Sequence, residues 1–205
     1  MNILIGFNTS VFNLRPEDLG SNSIPNSIAM TFALLFIAER SVAIFSMLFG
    51  VELAMQFDRL QENTPRVLIA RRLVILLLFG LIHVTLLWYG DILVQYAVAG
   101  LLVLPLLRLP TRVQVILIGL LFAFSTAPQW LPLPWSAPTP EIFGRYSDAA
   151  KKAFQSDSFY SVVRFNIEVL PIIVALHLSL LARTIGLCLI GVVAWRVYEW
   201  HLLTI

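Results

Sequence analysis

The sequence predicts an all-α protein of the polytopic membrane class, with about six to seven transmembrane helices and an external interfacial helix. Three observations carry this. Hydrophobic residues make up 59% of the chain and charged residues 13%, whereas soluble domains carry about a quarter charged residues. Mean hydropathy is +0.85. Apolar runs also recur at close to the ~20 residues that a helix needs to cross a hydrocarbon core of about 30 Å, each bounded by charge, proline or a turn pair. Segments alternating apolar and polar in the barrel manner are absent, which leaves helices as the only spanning element. The net charge of +2 is small and scattered, so nucleic acid is not expected as a partner. Cys188 is the single cysteine, so no disulfide framework exists within the chain.

The elements follow in order. "MNILIGFNTSVF" spans only about half a bilayer at 1.5 Å per residue and reads as the outer part of a first helix. Residues 13–26, with Pro16, Gly20 and Pro25, are a loop. Residues 28–57 form one long helical element bent near Glu39 and Arg40. "VLIARRLVILLLFGLIHVTLLWYG" is a third helix and "DILVQYAVAGLLVLPLL" a fourth, joined by a tight turn at Gly90 and Asp91. Residues 111–126 make a fifth.

"PQWLPLPWSAPTP" then places five prolines in thirteen residues, which forbids a regular helix, while Trp130 and Trp135 suit a headgroup layer. In 141–155, Ile142, Tyr146, Ala150 and Ala153 share one face and Arg145 and Lys152 the other, the pattern of a helix lying in the membrane surface. Residues 161–182, with Pro171 inside, are the sixth span and 184–203 the seventh, with a turn at Arg183. With no internal repeat and no soluble domain, residues 1–205 read as one transmembrane domain, in which 128–160 is an external proline-rich loop plus amphipathic helix.

Lysine and arginine in short loops set the orientation. Arg59, Arg66, Arg71 and Arg72, then Arg108 and Arg112, then Arg183 fall in alternate loops, which are therefore expected in the cytoplasm, with the Gly90–Asp91 turn outside. Arg196, at the far end of the last span, is expected to anchor in external headgroups.

Within this apolar chain two residues stand out. His83 lies about 12 Å below the external end of its helix, on one face with Gly80, Leu87 and Gly90, and two glycines let a neighbouring helix come close. An ionisable group at that depth is costly and often functional; the simpler alternative is a single interhelical hydrogen bond. Asp91 has the same double reading, as a site residue or as the N-cap of the fourth helix. His177 reads as a solvated residue near the inner surface. No metal-ligand spacing, phosphate-cradling loop or serine elbow occurs, and no metal is expected.

The segments "FSMLFGVELAMQ", "ARRLVILLLFGLIHVTLLWYGDILVQYAVAGLLVL" and "FQSDSFYSVVRFN" resemble the YeiB-like family of bacterial inner-membrane proteins. That family carries an FS-x-LFG segment, an ordered RR-L, G-x-x-H, W-x-GDIL and Y-x-x-x-G segment, and a later stretch with an arginine. The resemblance covers most of residues 1–200. It implies a multi-pass protein of the bacterial inner (plasma) membrane, related to transmembrane acyltransferases that modify cell-surface sugars. Family members also carry an LD-x-x-RG segment in the first helix and further spans after the last one here, so the chain is expected to be shortened at both ends.

Three functions are carried forward. The first is acyl transfer: His83 is the general base on an acceptor hydroxyl and Asp91 orients the site, because histidine's ordinary titration range lies near neutral pH and hydroxyl acylation needs a positioned base. Glu52, Trp88, Gln95, Tyr96 and Glu168 are the candidate substrate contacts. The sequence names no cofactor; an acyl donor such as acyl-CoA is what the reaction would draw on. Membrane lipids and a cell-surface glycan acceptor are the expected partners, with a homo-oligomer compatible. The second is transport along a path lined by His83, Glu52 and Glu168, which the missing repeat disfavours. The third is a non-catalytic membrane subunit or degenerate family member. Residues 128–160 are further expected to cover Asp91 as an external lid.

Overall fold

The computed structural model describes residues 39–59, 65–126, 140–156 and 158–203. The expected first helix, the start of the bent second element and the proline-rich stretch before residue 140 lie outside them. Every regular element among the described residues is an α-helix: α1 (Glu39–Arg59), α2 (Pro65–Leu86), α3 (Leu93–Leu106), α4 (Thr111–Thr126), α5 (Pro140–Phe154) and α6 (Phe159–Leu203).

Among the described residues the all-helical expectation is met, while the helices able to span are fewer than the six to seven expected. Among the described residues, three helices are long and apolar enough to cross a membrane, over Ser41–Arg59, Arg66–Leu86 and Phe159–Glu199. The helices α3 and α4 are apolar but have 14 and 16 residues, so at 1.5 Å per residue they cover only about 21 and 24 Å. The fourth helix shortens because residues 87–92 unwind around the Gly90–Asp91 turn.

The larger correction concerns the sixth and seventh spans, which are one continuous helix of 45 residues, about 67 Å long. The turn expected at Arg183 does not form. Nothing local requires it: the stretch "LLARTIGL" consists mostly of residues that a helix tolerates well, and the break was expected only from the length of bilayer a span must cross. Pro171 sits inside the helix without ending it.

Two cores are strung along α6. Around its C-terminal half, Cys188, Leu189 and Val192 pack with Leu53 of α1, Ile69 and Leu73 of α2, and Val103 and Leu107 at the end of α3. Here α1 and α6 cross backbone to backbone. A β-carbon on Gly50 would collide with the main chain of Cys188, and one on Gly191 with the main chain of Met47, so glycine permits this approach. Around the N-terminal half, Phe165, Val169 and Ile173 pack with Val84, Tyr89, Ala150 and Ala153. Part of the apolar face of α5 is thus seated on protein, through Ala150, Ala153 and the half-buried Tyr146, while Ile142 and Phe154 stay exposed.

Polar contacts hold α6 in register with the rest. Asn166 Nδ2 donates to the Thr85 carbonyl at 3.2 Å, Gln95 Nε2 to Thr184 Oγ1 at 2.9 Å, and Trp195 Nε1 to Asp58 Oδ2 at 3.0 Å. Arg196 corrects a second expectation, because it reaches the end of α3 rather than external headgroups. Its guanidinium donates to the carbonyls of Leu107 and Leu109 and to Oε1 of the fully buried Gln114. Gln114 Nε2 in turn donates to the Leu106 carbonyl at 2.9 Å. A helix leaves its last carbonyls without partners, and a cation there also meets the negative end of the dipole.

Candidate functional site

The α2–α3 turn meets the middle of α6 at a cavity of about 240 Å³, whose polar lining includes Asp91, Gln95, His177, Arg183 and Thr184, with Trp88 and Tyr96 among its aromatic walls. The turn is shaped by Gly90, over which the Trp88 ring lies so closely that a β-carbon would come within 2.8 Å of it.

Asp91 is the centre of the arrangement. Its side chain is 2% exposed, and Oδ1 lies 3.0 Å from His83 Nδ1. Oδ2 accepts the Val94 backbone N–H at 3.0 Å. The N-cap position itself falls on Ile92, so Asp91, one residue before it, takes the capping role through the Val94 N–H, and it also borders the cavity. The His83 ring is one-third exposed and its Nδ1 lacks the alignment of a hydrogen bond, so the pair is an electrostatic contact. His177, from α6, lines the same cavity as Asp91. A buried carboxylate and an imidazole from another helix, Asp91 and His177, thus line one cavity, while His83 touches Asp91 but is not among the residues lining that cavity.

The remaining candidates divide. Trp88, Gln95 and Tyr96 line the cavity. Gln95 is fixed by Thr184, and the Tyr96 hydroxyl by Ser46 at 2.9 Å and the Val42 carbonyl at 3.3 Å. Glu52 lies elsewhere, in a groove between α1, α2 and α3, 3.6 Å from Arg72. Glu168 is exposed on α6 and lines neither concavity. The structure therefore does not bring His83, Glu52 and Glu168 together.

His177 and Arg183 were not expected at this site. Both expectations failed for one reason: with a turn at Arg183, the two residues belong at the inner surface, whereas in a continuous helix they lie beside the α2–α3 turn. The same continuity carries Arg196 to the α3–α4 end, with Arg108 and Arg112. As for the expected lid, α5 packs against the outer side of the turn, where Tyr89 meets Phe154 and Phe165 at ring-centroid distances of 5.8 and 5.5 Å. Among the described residues, none of α5 lines the cavity.

Groups of three or more side chains suited to a metal ion are absent among the described residues. The chemistry on offer is that of a carboxylate, two imidazoles and a guanidinium beside a small, mainly apolar cavity.

No family model matches the chain, and no solved structure matches it at significance. Two curated proteins are similar over part of it. The uncharacterized protein YxaH of Bacillus subtilis (strain 168) is 42% identical over 71 residues, 34% of this chain and 18% of that protein. The uncharacterized 39.9 kDa protein in amylase 3'region of Bacillus acidopullulyticus is 32% identical over 114 residues, 53% of this chain and 33% of that protein. The chain thus matches at most a third of the length of either relative.

Proposed function

We propose that the chain is a multi-pass protein of a bacterial plasma membrane and that its Asp91 cavity carries acyl transfer to an acceptor hydroxyl. The long apolar helices and the two Bacillus relatives support the setting, as does the resemblance to YeiB-like proteins. The observation that carries the chemistry is the buried Asp91, in contact with His83 and lining one cavity with His177.

In this reading His177, the imidazole that lines the cavity, takes the proton of the acceptor O–H as its oxygen adds to the carbonyl of an acyl thioester. Collapse of the adduct forms the ester and expels a thiolate, which takes the proton back from the imidazolium. Asp91 stabilises the transient positive charge, the role a buried carboxylate has beside a catalytic imidazole. His83, the base expected from the sequence, serves as the second partner that holds the Asp91 carboxylate in place.

The test is acyl-group analysis of cell-surface glycans in a strain expressing the protein or its His177→Gln, His83→Gln and Asp91→Asn variants at equal levels. His177→Gln and Asp91→Asn should abolish protein-dependent acylation and His83→Gln should reduce it. Acylation unchanged in all three sinks the proposal.

A further inference from the structure

The groove between α1, α2 and α3, about 300 Å³ in volume, is separate from the reacting groups proposed above. Its upper walls are hydrocarbon and aromatic: Phe45 and Phe49 from α1, Leu73 and Leu76 from α2, and Leu93 from α3. Its charged side chains, Glu52 and Arg72, stand together in the lower half. From Phe45 to Glu52 the trough runs seven residues along α1, about 10 Å, the length of roughly eight carbons of an extended alkyl chain.

The cation at this mouth is held loosely. Arg72 Nη2 is 3.6 Å from Glu52 Oε1, beyond hydrogen-bond distance, and that same oxygen already accepts from Gln56 Nε2 at 2.7 Å. The Arg72 side chain is 64% exposed, and its planar fork of N–H donors matches the spacing of phosphate oxygens. Arg66 and Arg71 stand on the same end of α2 and add positive potential, whereas Asp58, the nearby acid of α1, is engaged by Trp195.

An apolar trough ending at an under-engaged guanidinium has the complementarity of one lipid chain above an anionic headgroup. We infer that the groove is a site for an anionic bilayer phospholipid, with one acyl chain along Phe45, Phe49 and Leu76 and the phosphate on Arg72. The inference rests on placing the chain in a bilayer and is independent of acyl transfer.

Native mass spectrometry of the purified full chain in maltoside micelles tests it, after titration with dioleoylphosphatidylglycerol or dioleoylphosphatidylcholine. The expected result is at least tenfold preferential retention of phosphatidylglycerol, a tenfold loss in Arg72→Gln, a similar loss in Leu76→Trp, which fills the trough, and no change in Arg71→Gln. Equal retention of phosphatidylcholine overturns the proposal. So does an equal loss in Arg71→Gln, which would mark a diffuse basic belt, or unchanged retention in Leu76→Trp. Every variant is read by binding, so these outcomes stand apart from any acylation result.

Discussion

His83 Nδ1 lies 3.0 Å from one oxygen of Asp91, while the other oxygen of the same carboxylate accepts the Val94 N–H at the start of α3. The two roles separate by substitution. Asp91→Asn keeps an oxygen for the cap and removes the charge, whereas Asp91→Ala removes both. Equilibrium unfolding in mixed detergent micelles should find the alanine variant less stable than the asparagine variant by about 1 kcal/mol, the usual weight of an N-cap. Equal stabilities would mean that the cap contributes nothing here.

The α1–α6 crossing predicts a contrast between glycines. Gly50→Ala places a methyl group against the Cys188 main chain, which cannot rotate away, so a loss of roughly 1–3 kcal/mol is expected from overpacking. Gly119, on α4, has nothing within 4 Å of an added β-carbon. There Gly119→Ala should gain about 0.5–1 kcal/mol through helix propensity. Thermal unfolding of the two variants side by side checks the pair, and a neutral Gly50→Ala would argue against the close crossing.

Arg196 closes the end of α3 on two main-chain carbonyls and the Gln114 amide oxygen. Replacing it with methionine leaves these acceptors unpartnered, and a destabilisation of about 1–3 kcal/mol is expected. Arg196→Lys should recover only part of the loss, since a single ammonium cannot reproduce the fork. Full recovery by lysine in the same unfolding assay would show that charge alone matters.

The continuity of α6 is directly measurable. Tyr160 and Tyr198 are both exposed, and 38 residues of unbroken helix separate their α-carbons by about 57 Å. Spin labels on cysteines at these positions, in a Cys188→Ala background, should give a pulsed-dipolar distance near that value. A distance below about 25 Å would restore the two antiparallel spans, each about 30 Å tall.

Much of the architecture was legible in residue order because its causes are local. Apolar runs bounded by charge and proline marked α2 to α4, and the limits of α4, at Thr111 and Thr126, match expectation. The nearness of His83 and Asp91 was not legible: eight residues of helix would set them about 12 Å apart, and they meet at 3.0 Å because the helix ends at Leu86 and residues 87–92 are no longer helical. The glycines on the His83 face signalled close packing, and Gly80 does lie against the Val94 backbone, but nothing in residue order pointed to the crossing of α1 and α6 at Gly50 and Gly191.

What the sequence by itself determined was the helical class and the apolar character, both properties of short-range spacing. Tertiary structure alone decided that α6 runs straight through Arg183, and with it the placement of His177 on the Asp91 cavity, of Thr184 on Gln95 and of Arg196 on Leu107. These partners are 86 to 89 residues apart in the chain. No periodicity joins them, because whether a long apolar stretch turns back or continues depends on the surfaces that α1, α3 and α5 offer along its length.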